Sequence, residues 1–336
     1  MRWFILKRLA FIIPQLFIVA ALVFVLLRAL PIDPVSKVVG LVGATPESIA
    51  QAEESLGLDS SLGTQLGGFL EGIITGDFGE SWNTGDPVRD EIVKRFPVTI
   101  QLISISFVLA LLIAIPVGRM AATRPNGRAD KTVLGYSLFA GAQPEFWWGL
   151  LFVFVFFFQL GWFPAPTGLT TPGLALPPDT TKFILLDSVI YRDWGVFIDV
   201  LKHFALPVIT LTFILTGPLI KMTRQGVVNA INSDYMLYAN AAGLPAKQVK
   251  RYLLRNSLAP LITLAGILFA FMLGGAVLIE FVFTLDGLGL YALRRMLEID
   301  FPAVQGAVVV MTAFSLLIYL LMDIIYAAMD PRIRLR

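Results

Sequence analysis

The chain has 336 residues, 57% of them hydrophobic and 15% charged, with a net charge of +2. Soluble domains are about 45–50% apolar and roughly 25% charged, so this composition excludes a disordered chain and argues against an ordinary soluble enzyme. With no cysteine and a single histidine, His203, the chain is not built for thiol nucleophiles, disulfides, iron–sulfur clusters or multi-histidine metal sites.

A membrane-spanning helix needs about 20 mostly apolar residues. Uncharged stretches of that kind run through 9–27, 96–118, 146–178, 204–220, 256–279 and 303–322, which predicts six spans in an all-α polytopic protein. Arg2, Lys7 and Arg8 precede the first. Its apolar core is too long for a signal peptide and no A-x-A-like site follows it, so it reads as a retained helix. The tail of the third stretch is rich in Pro, Gly and Thr. That span is therefore expected to start near residue 132, to kink at Pro144 and to end near residue 160. The fourth is the weakest, being short and flanked by Lys202 and Lys221.

The loops sort by charge. Segments 1–8, 119–131, 221–256 and 329–336 hold 16 basic and 3 acidic residues; segments 31–95, 161–203 and 285–302 hold 9 basic and 18 acidic ones. The positive-inside rule makes the first set cytoplasmic, with both termini inside. The basic surplus belongs to a membrane topology and does not point to nucleic acid.

The outer segment after the first span contains a helix signal, Thr45 as cap and Pro46 in the first turn, and turn-rich pieces around Gly76-Asp77 and Gly85-Asp86. It reads as a small ordered cap. Segment 161–203 opens with a proline-rich loop and continues into a helix-prone stretch, 183–203. In the inner loop 221–256, Asp234 is placed to cap a helix from Tyr235 to Ala242 and Gly243 to end it. Pro245 suits the start of a second, basic helix reaching Leu258. The first of these helices is compact and small-residue-rich, suited to docking in a partner's groove. The alternative is a pair of helices lying on the bilayer surface.

No G-x-x-x-x-G-K-[ST], H-E-x-x-H or G-x-S-x-G motif occurs, so the chain carries no phosphate-binding loop, zincin site or nucleophile elbow of its own. His203, beside Lys202 at a span edge, reads as an interfacial, solvated residue. Glu280, at the outer end of span five near Gly274-Gly275, is a candidate for a gate or path, or else snorkels outward. Gln143 and Glu145 are placed to line a path at the Pro144 kink. Thr212 and Thr216 are placed to line it or to satisfy backbone. Asp323, inside span six, is expected to pair with Lys221 or Arg119.

The inner loop reads Asp234-Tyr235-Met-Leu-Tyr-Ala239-Asn-Ala241-Ala-Gly243, followed by Arg255-Asn256-Ser-Leu-Ala-Pro260. This resembles the EAA loop of binding-protein-dependent ABC importer permeases, in the dipeptide/oligopeptide/nickel branch and its B-type subunit. Ala239 and Gly243 match the pattern, whereas Leu237 and Tyr238 depart from it. Leu30-Pro31-Ile32-Asp33-Pro34 is similar to the family's exit from span one. Further similar segments are Gly76-Asp77-Phe78-Gly79-x-Ser81, Pro87-Val88, Pro97-x-Thr99, Leu160-Gly161-Trp162-Phe163-Pro164, Glu280-Phe-Val282-Phe283, Gly287-Leu288-Gly289, Asp300-Phe-Pro302-x-x-Gln305-Gly306, Asp323-Ile-Ile-Tyr326 and Asp330-Pro331-Arg332-x-Arg334.

The resemblance implies a type I ABC importer permease in a bacterial plasma membrane. It implies a partnership with a second, C-type permease, two ABC ATPase subunits that use ATP and magnesium, and an extracytoplasmic solute-binding protein. This chain itself would bind no cofactor. The implied layout is span one with the outer segment (1–96), a five-helix core including the coupling loop (97–330), and a short tail (331–336). Asp234, Tyr235, Ala239, Ala241, Gly243, Arg255 and Asn256 would form the coupling loop. Asp323, Asp330, Pro331 and Arg332 would form a C-terminal structural motif. Peptides are the leading solute class, with nickel or another small solute as the alternative. A stand-alone secondary transporter or channel is the competing reading, but no internal repeat supports it.

Overall fold

The computed structural model describes residues 2–32, 34, 35 and 45–329, so Asp330, Pro331 and Arg332 lie outside the described residues. Among those described the chain is all-α, with one isolated antiparallel bridge between Glu80 and Pro87. Helix α1 (Arg2–Ala29) leads to two short helices of the outer segment, α2 (Pro46–Ser55) and α3 (Leu62–Thr75). Thr45 and Ser48 form a reciprocal capping box on α2, and Pro46 occupies its first turn, as the sequence predicts. Gly76 ends α3 in a left-handed conformation.

Helix α4 (Val88–Ala122) is span two. Span three differs from expectation. It is a broken pair, α5 (Arg128–Ala140) and α6 (Glu145–Phe152), meeting at 100°. Proline disfavours helical geometry in the residue before it and donates no N–H, which marks the interruption at Pro144 just before α6. Helices elsewhere in the chain run unbroken through internal prolines, so proline alone does not set the turn. α6 continues as a π-helical segment, Val153–Gln159. Among the described residues five helices meet the length and apolarity of a membrane span outright, and six do if the bent pair is counted as one span.

After the short α7 (Ile184–Ile190) comes α8 (Trp194–Ile231). The fourth span is thus the longest helix, and its apolar window is the most buried of the spans. Lys202 and Lys221 do not bound it. Both are exposed on the helix, where long basic side chains keep their charge in a polar layer while the stem stays on the helix surface. The inner loop folds into α9 (Asp234–Ala241) and α10 (Ala246–Ser257). Then come α11 (Ala259–Val282), α12 (Leu288–Leu297) and α13 (Phe301–Met329).

The core is a packing of α4, α8 and α11, with α4 and α8 sharing the most extensive contact. Phe107 of α4 meets Phe269 of α11 edge-to-face at 4.9 Å, a favoured aromatic geometry. α1 packs against α13 and leaves most of its apolar surface outward. That suits a lipid-facing helix, since acyl chains solvate leucine as well as a core does. Near the inner end of α8, a Cβ at Gly226 would collide with the Ser257 carbonyl. Glycine there lets the end of α10 sit directly on α8.

Candidate functional site

The inner-loop helices are built much as the sequence indicates. Gly243 follows α9 with φ 66°, the left-handed region that glycine adopts freely. The cap differs: Ser233 precedes the helix, Asp234 is its first residue, and no side-chain cap bond forms. Met236 and Ala239, three residues apart, are buried against the chain itself. Ala239 is therefore small because it packs inward. The outward face carries Tyr235, Leu237 and Tyr238, the last two more than 70% exposed, with Ala241 and Gly243 beside them. Leu237 and Tyr238 are the two positions where the sequence departs from the EAA pattern. Arg255 and Asn256 lie exposed near the end of α10, where Asn256 donates to the Tyr252 carbonyl at 3.0 Å.

Close to this loop, Arg224 of α8 makes a two-pronged ion pair with Asp130 of α5, its Nη2 reaching Oδ2 at 2.7 Å. Asp130 also accepts the Asn126 amide at 2.8 Å. Counting charges along the chain missed this pair. Its members stand 94 residues apart, and nothing local marks either as buried.

At the other end of the spans, Glu280 is fully buried. It does not snorkel to the outer interface. Its carboxylate accepts the Thr99 hydroxyl at 2.5 Å and the Leu290 amide at 2.7 Å. Thr99 in turn accepts the Leu288 amide at 2.8 Å. A Cβ on Gly287 would run into this carboxylate, and one on Gly289 into Val277 beside it, so the Gly-Leu-Gly turn packs closely on this part of α11. The carboxyl oxygens face the start of α12, where the first backbone N–H groups of a helix lack intrahelical partners. α4, α11 and α12 are thereby tied at one point.

Asp300 makes a second tie. It is buried and accepts the Ser81 hydroxyl at 2.5 Å and the Trp82 amide at 3.2 Å. It also accepts the Ala303 amide of α13 at 3.3 Å. Gly306 sits against Phe78 and Val88. Tyr291, between the Arg95 and Arg295 guanidiniums, has its phenol pushed up to about 12 by burial and stays neutral at physiological pH. Segments scattered through the sequence, around residues 78–88, 97–99, 280–290 and 300–306, converge in these two clusters.

The remaining candidates are placed as follows. Glu145 begins α6 at the break in span three and packs on Gly275 of α11; its Oε2 is buried with no hydrogen-bond partner among the described residues. Gln143 is exposed within the break, and Gly274 is exposed with open space over its Cα. Thr216 donates to the Thr212 carbonyl at 2.6 Å and Thr212 to the Ser106 carbonyl at 3.3 Å, so both hydroxyls are occupied with backbone. Asp323 pairs with Arg8 of α1 at 2.9 Å, not with Lys221 or Arg119, because α13 packs against α1 and not against the inner ends of α4 or α8. His203 is buried, not solvated, its Nδ1 2.9 Å from the Asp199 carbonyl. Among the described residues no cluster of metal-ligating side chains occurs.

Two family models match in tandem: the binding-protein-dependent transport system membrane component, N-terminal, over residues 1–103, and the binding-protein-dependent transport system inner membrane component over residues 114–335. The chain is 33% identical to the dipeptide transport system permease protein DppB of Escherichia coli K12, over 98% of both chains. It is equally similar to a di/tripeptide transport system permease protein of Pseudomonas aeruginosa UCBPP-PA14, again over 98% of both. A putative peptide transport system permease protein of Brucella abortus 2308 matches at 33% with the same coverage. The chain belongs to the binding-protein-dependent transport system inner membrane component family, as a multi-pass protein of the bacterial inner membrane.

Proposed function

We propose that this chain is the B-type permease of an ATP-driven peptide importer. It forms the translocation path with a second, C-type permease and receives short peptides from an extracytoplasmic solute-binding protein. ATP and magnesium belong to two partner ATPase subunits. The peptide assignment is carried by the end-to-end similarity to permeases named for dipeptide, di/tripeptide and peptide transport.

In this reading α9 is the coupling helix. Its support is the outward face of Tyr235, Leu237, Tyr238, Ala241 and Gly243, apolar and unburied at a loop rich in basic residues, as an element bound for a partner's groove should be. Both termini and this loop are cytoplasmic, where the ATPases are. The broken third span, with Gln143 and Glu145 at the break and Gly274 opposite, borders the path. Irregular backbone at membrane depth is tolerated where it lines a cavity or meets protein. Glu280 and Asp300 hold the outer ends of the spans together and transmit the movement of α4 and α13. Asp323, through Arg8, joins the inner ends of α13 and α1.

The test is purification of the tagged chain at native expression, followed by assay of ATP hydrolysis with the solute-binding protein and dipeptide. Two ATPase chains and a second permease should copurify, and Gly243→Trp should abolish peptide-stimulated hydrolysis while the chain still inserts. A functional homomer free of ATPases, or full stimulation in the mutant, defeats the reading.

A further inference from the structure

A cavity of about 900 Å³ lies between the outer segment, the end of α1 and the start of α13. That volume is in the range of small-molecule sites, roughly 300–1,000 Å³. Two buried donors on its wall lack partners. Gln305 is 5% exposed, and its Nε2 has no hydrogen-bond partner among the described residues. Arg28 Nη1 is in the same condition.

Arg28 is otherwise held rigidly. Its Nε and Nη2 grip Gln65 Oε1 at 3.2 and 2.8 Å, and Gln65 Nε2 is tied to the Ser60 carbonyl at 2.9 Å. The guanidinium lies 4.9–5.7 Å from the rings of Phe24, Trp82 and Phe301. Such a preorganised cation with one free edge fits an oxyanion. Leaving two buried donors unsatisfied costs free energy that an incoming acceptor would recover.

Charge on the same wall narrows the ligand. Among the described residues that line the cavity, Glu54, Glu71, Asp77 and Glu80, all exposed, stand against one guanidinium. A plain oxyanion would be repelled by four carboxylates. A ligand carrying its own ammonium would be drawn in, its oxyanion toward Arg28 and Gln305 and its ammonium toward the acidic wall. We propose that this cavity binds a zwitterion of that charge pattern. Two sources share the chemistry: a short peptide with free termini, and the headgroup of an aminophospholipid such as phosphatidylethanolamine. The site stands whether or not the chain imports peptides.

The experiment uses the full-length chain with its copurifying subunits in nanodiscs of phosphatidylglycerol. In one arm, dialanine, N-acetyl-dialanine and dialanine amide are titrated by calorimetry. In the other, phosphatidylethanolamine is doped in and its retention counted by native mass spectrometry. At least one zwitterion should bind saturably. Arg28→Gln should weaken it at least tenfold, as should the exposed-site double variant Glu71→Gln/Glu80→Gln, which leaves the buried packing untouched. The responding arm identifies the source. If dialanine responds, both blocked forms should bind at least tenfold more weakly. The proposal is overturned if neither arm responds to either variant, or if dialanine binds and its blocked forms bind as well as it does. Lost uptake with intact Arg28-dependent binding would count against the import reading and not against this site.

Discussion

At the level of single residues, Thr99 shows how one hydroxyl serves three helices. It donates to Glu280 and accepts from Leu288. Thr99→Val keeps the shape but leaves the Leu288 amide and one lone pair of Glu280 unpaired, at a cost of about 1–3 kcal/mol. The purified chain should melt several degrees lower, with Thr99→Ser restoring most of the loss. The Asp130–Arg224 pair invites a different prediction. Removing one partner strands a buried charge, which costs about 3–5 kcal/mol, whereas replacing both with apolar residues is often neutral. Arg224→Met alone should therefore destabilise more than Arg224→Met combined with Asp130→Leu, as read from denaturation in detergent. Asp323→Ala should change the melting temperature little, since its pairing with Arg8 is partly exposed.

At the level of elements, α9 separates packing from docking. Met236→Asp would put a charge on the buried face and should impair accumulation of the folded chain. Leu237→Asp with Tyr238→Asp alters only the exposed face. It should leave accumulation and melting unchanged while lowering peptide-stimulated ATP hydrolysis at least tenfold. If hydrolysis persists, α9 is not the coupling surface. The helix itself is legible in the sequence, because Pro245 and Gly243 act through the local backbone. Which face turns inward is not, since α9 is too short and too evenly apolar for periodicity to choose, and that choice falls to its neighbours. The break in span three is a similar case. Pro144 signals an interruption, but a 100° turn in place of a kink depends on what α5 and α6 pack against.

At the level of the whole molecule, the charge-sorted loops predict the orientation. The chain has no cysteine, so single introduced cysteines report sidedness cleanly. Glu53→Cys should react with an impermeant maleimide on intact spheroplasts, and Asn240→Cys only after permeabilisation. The reverse pattern would overturn the assignment of the termini and the coupling loop.

The number and rough position of the apolar spans, the helix of the outer cap and the two inner-loop helices follow from the sequence alone. Hydropathy, capping residues and proline act over a few neighbouring positions. Only the tertiary structure decided the partners of the buried charges. Glu280 reads from its position at a span end as a residue that lines a path or snorkels outward; the structure buries it instead on Thr99 and Leu290. Asp323 finds Arg8, and Asp300 finds Ser81 219 residues away. A charge inside a membrane protein must be paired or hydrogen-bonded, but that requirement does not name the partner. The crossing of the helices does.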